Sequence, residues 1–519
     1  MESRLISALQ DPSRYPHPVE AIKVIETHIS WVILTGPYAY KVKKPLNLGF
    51  LDFRDPESRR FYCEEELRLN RRLAETIYEA VLPVTGSSDA PELGGDGTPF
   101  DYALRMRQFN PDCTLDRLSE RDELTPEQLD ELAERIAAFH RSVPALPMDS
   151  PLADPAALRQ AMLDNFVSIA QNIDDQADRR RCDSLRDWTE SCFAQLEPRI
   201  RYRLETGLFR ECHGDLHLGN IAWFEGRITV FDCIEFSESL RWIDTANDLA
   251  FLLMDLESRD RNAMAYRVLN HYLEHSGDYE ALGLMGFYKA YRAMVRAKVT
   301  LLQPAENAEQ QDRILEGFRR YTQLAEQYSQ IPTPWLAITC GFSASGKSWI
   351  SARLAERFGM IRVRSDVERK RLFNLSPTGS SRSEQDKGIY TPEATRRTYE
   401  RLVSLARSIL IAGYPVIVDS AALRREERES LYDVAESLGL PALLVSCEAR
   451  ESTLRARIRE RARQRNEVSE ATEAVLEHQL AWAESIAESE KPHAVHINTE
   501  NPDSLDMLVR AIEQHQSQA

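Results

Sequence analysis

A strand, a glycine-rich turn and a helix start coincide near residue 340, and no other stretch restricts the fold so tightly. Trp335–Cys340 (WLAITC) reads as a buried strand, and a helix begins near Trp349. Between them, Gly341-Phe-Ser-Ala-Ser-Gly346-Lys347-Ser348 matches G-x-x-x-x-G-K-[ST] at every fixed position. Gly341 and Gly346 let the backbone turn tightly, so that the amides of Ser343, Ala344 and Ser345 can close around phosphate oxygens beside the helix dipole. Lys347 would reach the outer phosphates of a nucleotide, and the Ser348 hydroxyl would sit on Mg²⁺.

The flanking sequence extends this pattern. Val416-Ile-Val-Asp419 is an apolar strand that ends in an acid, suited to the metal side of the same site or to capping the next helix. Ile361-Arg-Val-Arg-Ser-Asp366-Val-Glu-Arg369 places a carboxylate, Asp366, where a general base for an acceptor hydroxyl must stand. Arg369, one helical turn later, could hold an anionic group of the substrate. After Leu454 the chain is dense in arginine, with Arg455, Arg457, Arg459, Arg461, Arg463 and Arg465 at alternate positions. Read as a helical lid, this stretch puts Arg457 and Arg461 on one face, where they would neutralise charge during transfer. Residues from about 335 to 500 resemble small P-loop kinases of the zeta-toxin and polynucleotide-kinase types, on GFSASGKS, SDVER, VIVDSAALRREER and the arginine-rich stretch. The resemblance implies phosphorylation of a hydroxyl on a small molecule, a nucleotide-type acceptor or a polynucleotide end.

A second constellation lies in the first half of the chain, His213-Gly-Asp215-Leu-His217-Leu-Gly-Asn220. Asp215 and Asn220 have the D-to-N spacing of a kinase catalytic loop, in which a carboxylate meets the acceptor hydroxyl and an amide reaches a metal ion. Val230-Phe231-Asp232 then ends a strand in an acid, placed to supply the second metal ligand. Upstream, Lys41 and Lys43 alternate onto one face of the strand AYKVK. Either could hold phosphates, Lys43 being preferred, with Glu66 of the helix EEELRLNRRL as partner. No G-x-G-x-x-G loop precedes them.

Residues 1 to about 328 resemble the aminoglycoside-phosphotransferase-like small-molecule kinases, on HGDLHLGN, VFDCIEF and Asp244-Thr-Ala-Asn-Asp248-Leu-Ala. The resemblance implies a catalytic base and metal ligands at Asp215, Asn220 and Asp232, with Asp244 and Asp248 supporting the site. Over nearly its whole length the chain resembles fusions of an aminoglycoside-phosphotransferase-like domain with an ATP-binding domain. Two prolines in Ser329–Pro334 break a long helical run just before the first strand of the new pattern, so domains are expected at 1–330 and 331–519. The first would be an α+β bilobal protein-kinase-like domain, its β-rich lobe ending near Phe109. The second would be an α/β P-loop NTPase domain with a parallel sheet.

The remaining composition excludes more than it assigns. A net charge of −17 over 519 residues argues against a general nucleic-acid platform, although the arginine-rich stretch keeps polynucleotide ends open as a less favoured acceptor. The missing aromatic interleaving there weakens that option. Eight cysteines without any C-x-x-C pair suit free thiols in a reducing compartment. No secretory start and no apolar run of membrane length is visible, so a cytoplasmic protein using ATP and Mg²⁺ is expected. The rival reading makes one domain, the first, a nucleotide-binding regulator of the other.

Overall fold

A computed structural model describes residues 2–47, 51–330, 332–381, 388–461, 463 and 472–518. The chain packs as two compact units, Met1–Val167 with Thr189–Asp255, and Ser168–Trp188 with Leu256–Ala519.

The first unit is built on a six-stranded antiparallel sheet. In chain order its strands are β1 (Lys23–Glu26), β2 (Ser30–Leu34), β3 (Tyr38–Lys43), β4 (Tyr78–Ser87), β5 (Ala90–Leu93) and β6 (Asp101–Arg107); in space they run β1-β2-β3-β6-β4-β5. Gly36 takes φ +97° in the β2–β3 turn, a conformation open to glycine at little cost, and Thr35 closes that turn onto Tyr38. The period-two alternation of β3 then separates its side chains. Tyr40 and Val42 pack with Leu5, Leu9 and Ile33 on one face, which leaves Lys41 and Lys43 for the other.

The opposing element is the helix Pro56–Ala74. Asp55 caps it by accepting from the Ser58 amide, Pro56 opens its first turn, and Glu66 and Asn70 lie on its buried face. Two short antiparallel pairs follow later in the chain, β7 (Phe209–Glu211) with β10 (Trp242–Asp244) and β8 (Ile221–Phe224) with β9 (Arg227–Val230). Arg203 and Asp244, both fully enclosed, join through two hydrogen bonds of 2.7 and 2.8 Å. Removing either partner would strand a buried charge, at a cost of about 3–5 kcal/mol.

The second unit carries a five-stranded, wholly parallel sheet in the order β12-β13-β11-β14-β15. Its strands are β11 (Leu336–Cys340), β12 (Ile361–Arg364), β13 (Val416–Asp419), β14 (Ala442–Glu448) and β15 (Ala494–Asn498). Ala337, Ile417, Leu443 and Val445 pack from its face against Ile350, Leu354, Leu508 and Ile512. Because every strand points the same way, their carboxyl ends share one edge, the usual ligand edge of such sheets. β11 delivers Gly341 and β13 delivers Asp419 to it.

The helices after Leu256 belong to the same compact unit as this sheet, whereas the change of sequence pattern falls at 329–334. Helix Asn262–Ser276 lies on helix Lys347–Phe358 and on edge strand β12. Arg267 pairs with Glu356 at 2.7 Å, and Asn270 donates to the Met360 carbonyl and accepts from the Arg362 amide. Among the described residues, no helix is long and apolar enough to cross a membrane. All eight cysteines are free thiols.

Candidate active sites

In the first unit, β3, the Pro56–Ala74 helix and two loops converge on a chain of charges. Lys41 Nζ donates to Glu66 Oε1 at 2.7 Å and to Asp232 Oδ1 at 3.0 Å. Lys43 Nζ donates to Glu66 Oε2 at 2.7 Å and to Glu235. Burial alone would push the Glu66 carboxyl up, but the two ammonium groups outweigh it and hold that carboxyl down at about 2. Desolvation raises Glu235, only partly offset by Lys43.

The two lysines differ in what they face. Lys43 is fully enclosed between two carboxylates, whereas Lys41 keeps an open edge and touches Asp232, whose side chain is 48% exposed. The geometry thus favours Lys41 over the preferred Lys43 for contact with a bound group. Glu235 was not singled out in the sequence, although its place three residues after Asp232 is a usable signal.

The loop that carries Asp215 is fixed from below. Asp248 accepts from the amides of His213 (3.0 Å) and Gly214 (2.8 Å) and from His140 Nε2 (3.1 Å), and Asp255 accepts from the Leu218 amide. Asp248 thus ties the loop to the helix Thr245–Glu257, whereas Asp244, at the end of β10, is bonded to Arg203 and to the Ala246 amide. His213 Nε2 lies 2.9 Å from the Phe231 carbonyl, and burial lowers the pKa of this ring. Asn220 Nδ2 donates to the backbone oxygen of Asp215 at 3.0 Å and to its Oδ2 at 3.1 Å. His217 Nε2 stands 3.4 Å from the same Oδ2.

Asp232 adopts φ +61°, a left-handed conformation uncommon for a residue other than glycine. Two contacts hold it there. Its amide donates to the Tyr78 hydroxyl, and the preceding Phe231 packs edge-on against Phe109, ring centroids 5.1 Å apart. Lys41, Glu66 and Asp232 thus form one hydrogen-bonded chain and Asp215 with Asn220 a second, and the backbone joins them where the Phe231 amide donates to the Asn220 carbonyl at 2.9 Å. The partly open Asp232 carboxylate and the Asn220 amide oxygen are donors of the hard type that a divalent cation takes.

In the second unit the loop after β11 is strained in the way its sequence anticipates. Gly341 has φ +145° and Gly346 φ +93°, and a Cβ at Gly341 would come within 2.4 Å of the Cys447 carbonyl oxygen. Ala344 also lies at positive φ, +64°. Lys347 Nζ donates to the carbonyls of Gly341 (2.9 Å) and Phe342 (2.7 Å), with Ser348 beside it in the first turn of the helix. Desolvation lowers the Lys347 pKa, opposed by the charges of Asp419 and Asp366. Asp366 stands in the first turn of helix Ser365–Leu372. Ser345 Oγ and Asp419 Oδ2 are buried without a hydrogen-bond partner. An orphan carboxylate oxygen and an orphan hydroxyl beside an enclosed lysine fit a phosphate with its cation.

Helix Glu451–Arg461 reaches this loop through one arginine. Arg457 donates to the Ala344 carbonyl (3.2 Å), to Thr499 Oγ1 (3.0 Å) and to the Thr499 carbonyl, while Thr499 Oγ1 donates to the Ser345 carbonyl (2.8 Å). Arg461 ends the helix and makes no ion pair among the described residues. Arg455 and Arg459 are held by Glu473, and Arg455 also by Glu451 and Glu477. Arg465 lies outside the described residues.

Arg369 is also committed elsewhere. It is 9% exposed and donates to the Ile389 carbonyl and to Thr395 Oγ1, which ties helix Ser365–Leu372 to its neighbours and leaves little of the guanidinium for a substrate. Gln479 and Thr499 were not anticipated. Gln479 Oε1 accepts from the Ser343 amide at 2.9 Å, yet it lies far along the chain, with no spacing to mark it.

Residues 52–284 match the model of the phosphotransferase enzyme family, and residues 336–486 match that of an AAA domain. Uncharacterized proteins of Mycobacterium tuberculosis and Mycobacterium bovis are 29% identical over 406 residues, 78% of this chain and 79% of theirs. Among solved structures, a choline/ethanolamine kinase family protein from Mesorhizobium loti aligns over 63% of this chain and 98% of its own, at 15% identity and TM-score 0.35. A gluconokinase from Sinorhizobium meliloti aligns over 36% of this chain and 98% of its own, at 21% identity and TM-score 0.27. The chain is an enzyme of the kinase and phosphotransferase type, with a segment similar to the phosphotransferase enzyme family at residues 52–284 and one similar to the AAA domain at residues 336–486.

Proposed function

We propose that the chain transfers the γ-phosphoryl group of ATP to hydroxyl acceptors at two Mg²⁺-dependent sites, one in each unit. The observation that carries this reading is the connected cluster Lys41–Glu66–Asp232 with Asp215 and Asn220 beside it. A scaffold that only bound nucleotide would have no physical need for a base together with two metal donors.

In the first unit Lys41 holds the phosphates, with Glu66 fixing its ammonium group. Asn220 and Asp232 hold the cation, which supplies charge neutralisation on the phosphate oxygens. The acceptor oxygen bonds to the γ-phosphorus, the bond to the bridging oxygen of ADP breaks, and Asp215 takes the hydroxyl proton. In the second unit the amides of Gly341–Ser348 and Lys347 hold the phosphates, Ser348 and Asp419 face the cation, and Asp366 takes the proton. Rate enhancement comes from positioning and fixed charge. Small-molecule or nucleotide-type acceptors suit both sites. Two of the four arginines of helix Glu451–Arg461, Arg455 and Arg459, are paired with carboxylates, which disfavours a polynucleotide.

Label transfer from γ-labelled ATP to panels of metabolites, nucleotides and oligonucleotides tests the reading. Asp215→Asn is expected to abolish transfer to one acceptor class and Asp366→Asn to another. ATP binding without transfer to any hydroxyl would replace this reading with the regulatory one.

Arg457 separates the lid from a merely basic helix. Arg457→Ala is expected to lower kcat at the second site by about tenfold or more, because its contacts to Ala344 and Thr499 hold the loop in shape. Arg461→Ala is expected to change kcat less than about twofold. Steady-state kinetics with the acceptor found in the screen measures both.

A further inference from the structure

Helix Asn262–Ser276 lies inside the segment that matches the phosphotransferase family, yet it packs in the second unit. It brings Glu274, 3% exposed, to the carboxyl end of β12. Glu274 Oε1 accepts from Arg362 Nη2 at 2.7 Å and from its Nε at 3.1 Å, and Oε2 accepts from Arg364 Nη1 at 3.3 Å. Burial alone would push this carboxyl up, but Arg362 and Arg364 hold it down at about 2. Glu274 is therefore a fixed negative charge behind Arg364.

The other edge of the Arg364 guanidinium faces the P-loop site. The parallel register pairs Arg364 with Asp419, and Arg364 Nε stands 3.7 Å from Asp419 Oδ2. That oxygen is buried and accepts no hydrogen bond. At 3.7 Å the guanidinium is an ion-pair neighbour that stops short of a hydrogen bond. Arg364 is thus shared between two carboxylates and tied more closely to Glu274. His271, Asp366 and Lys347 are the other charged groups that act on this chain.

We propose that Glu274 is a positioning residue of the P-loop site: by holding Arg364 it keeps the guanidinium from closing on Asp419, and so leaves that carboxylate to the divalent cation. A buried arginine that loses one of two carboxylate partners closes on the other, and a carboxylate engaged in a direct ion pair is a poorer acceptor for Mg²⁺. The metal affinity of the P-loop site is then set by a helix outside the P-loop family segment, 336–486. The inference rests on Asp419 facing the cation, as proposed above.

The test uses the full chain with Asp232→Ala, which silences the metal site of the first unit. A fluorescent ATP analogue is titrated at increasing Mg²⁺, and equilibrium binding is read rather than turnover. Adding Glu274→Gln is expected to raise the Mg²⁺ concentration at half-effect by about tenfold, and to change metal-free binding by less than about twofold. Adding Arg364→Met to Glu274→Gln is expected to return the midpoint to its starting value, since no guanidinium remains to close on Asp419. Arg267→Gln cuts an ion pair between helix Asn262–Ser276 and helix Lys347–Phe358, away from β12, and is expected to leave the midpoint unchanged.

An unchanged midpoint in Glu274→Gln overturns the inference. So does an equal shift in Arg267→Gln, which would mean helix packing alone, or a failure of Arg364→Met to restore the midpoint. Absence of nucleotide binding in the Asp232→Ala chain itself would sink the P-loop reading and this inference with it, a result distinct from the other three.

Discussion

Asp232→Ala, in the full chain with Lys347→Ala silencing the second site, is expected to remove Mg²⁺-dependent ATP binding while leaving metal-free binding in place. Asp232 is half exposed, held at positive φ by its surroundings, and meets Lys41 as its ion-pair partner. Its removal takes away the most open carboxylate of the site, for an expected loss on the order of a hundredfold in metal-dependent affinity. Lys41 then keeps only Glu66, so its ammonium charge faces the phosphates with less local competition. Metal-free affinity should hold or rise slightly. Calorimetry with ATP, with and without Mg²⁺, checks both signs at once. A variant that binds Mg·ATP as the parent does would contradict the role given to Asp232, and one that loses all binding together with its cooperative melt has merely unfolded.

Contiguous motifs were legible in the sequence because their geometry is local. Gly341–Ser348 and the strand and helix around it can be read from neighbours alone, and the loop closes as those residues require. HGDLHLGN with the later Phe231-Asp232 was nearly as clear, since strand ends and loop spacing fix which side chains meet. Lys41 and Lys43 mark the limit. They share a strand face, and only depth separates them: Glu235, distant in sequence, encloses Lys43 and leaves Lys41 at the opening.

Charges that meet across long separations carried no usable pattern. The helix EEELRLNRRL showed Glu66 as one acid among several, and its burial opposite β3 decides its role. Arginines after Leu454 read as a field of positive charge, but Glu473 and Glu477 arrive later in the chain and neutralise much of it. Arg369 looked free because the Ile389 carbonyl that binds it has no side-chain signature. The turn residues of SSDAPELGGDGTP likewise hide the short strand Ala90–Leu93 that pairs with β4. Prolines at 332 and 334 mark where a new strand pattern starts, but the packing of helix Asn262–Ser276 depends on partners some ninety residues away, such as Arg362 for Asn270.

Lys347→Ala has the largest expected effect at the second site, and stability separates its causes. The Lys347 ammonium is enclosed, donates to two loop carbonyls, and has its pKa lowered by desolvation, so it is a charge the empty fold holds at some cost. Folding therefore desolvates this charge at some cost, and replacing it with a neutral residue removes that cost. Two loop carbonyls lose a donor in exchange, and the net change in the melting temperature without ligand should be small. With nucleotide the result reverses. A site saturated at 100 times its Kd is stabilised by about 2.7 kcal/mol, which for a domain of this size is a shift of several degrees. In the Asp232→Ala chain, where the P-loop is the remaining Mg²⁺-dependent site, Lys347→Ala is expected to abolish the Mg²⁺-dependent part of that shift because the charge-assisted contact to the phosphates is gone. Thermal melts without ligand, with ATP alone and with Mg·ATP give the values needed. A Mg²⁺-dependent shift that survives Lys347→Ala, read against melts with ATP alone, would mean that Gly341–Ser348 does not hold the nucleotide, whatever its backbone geometry.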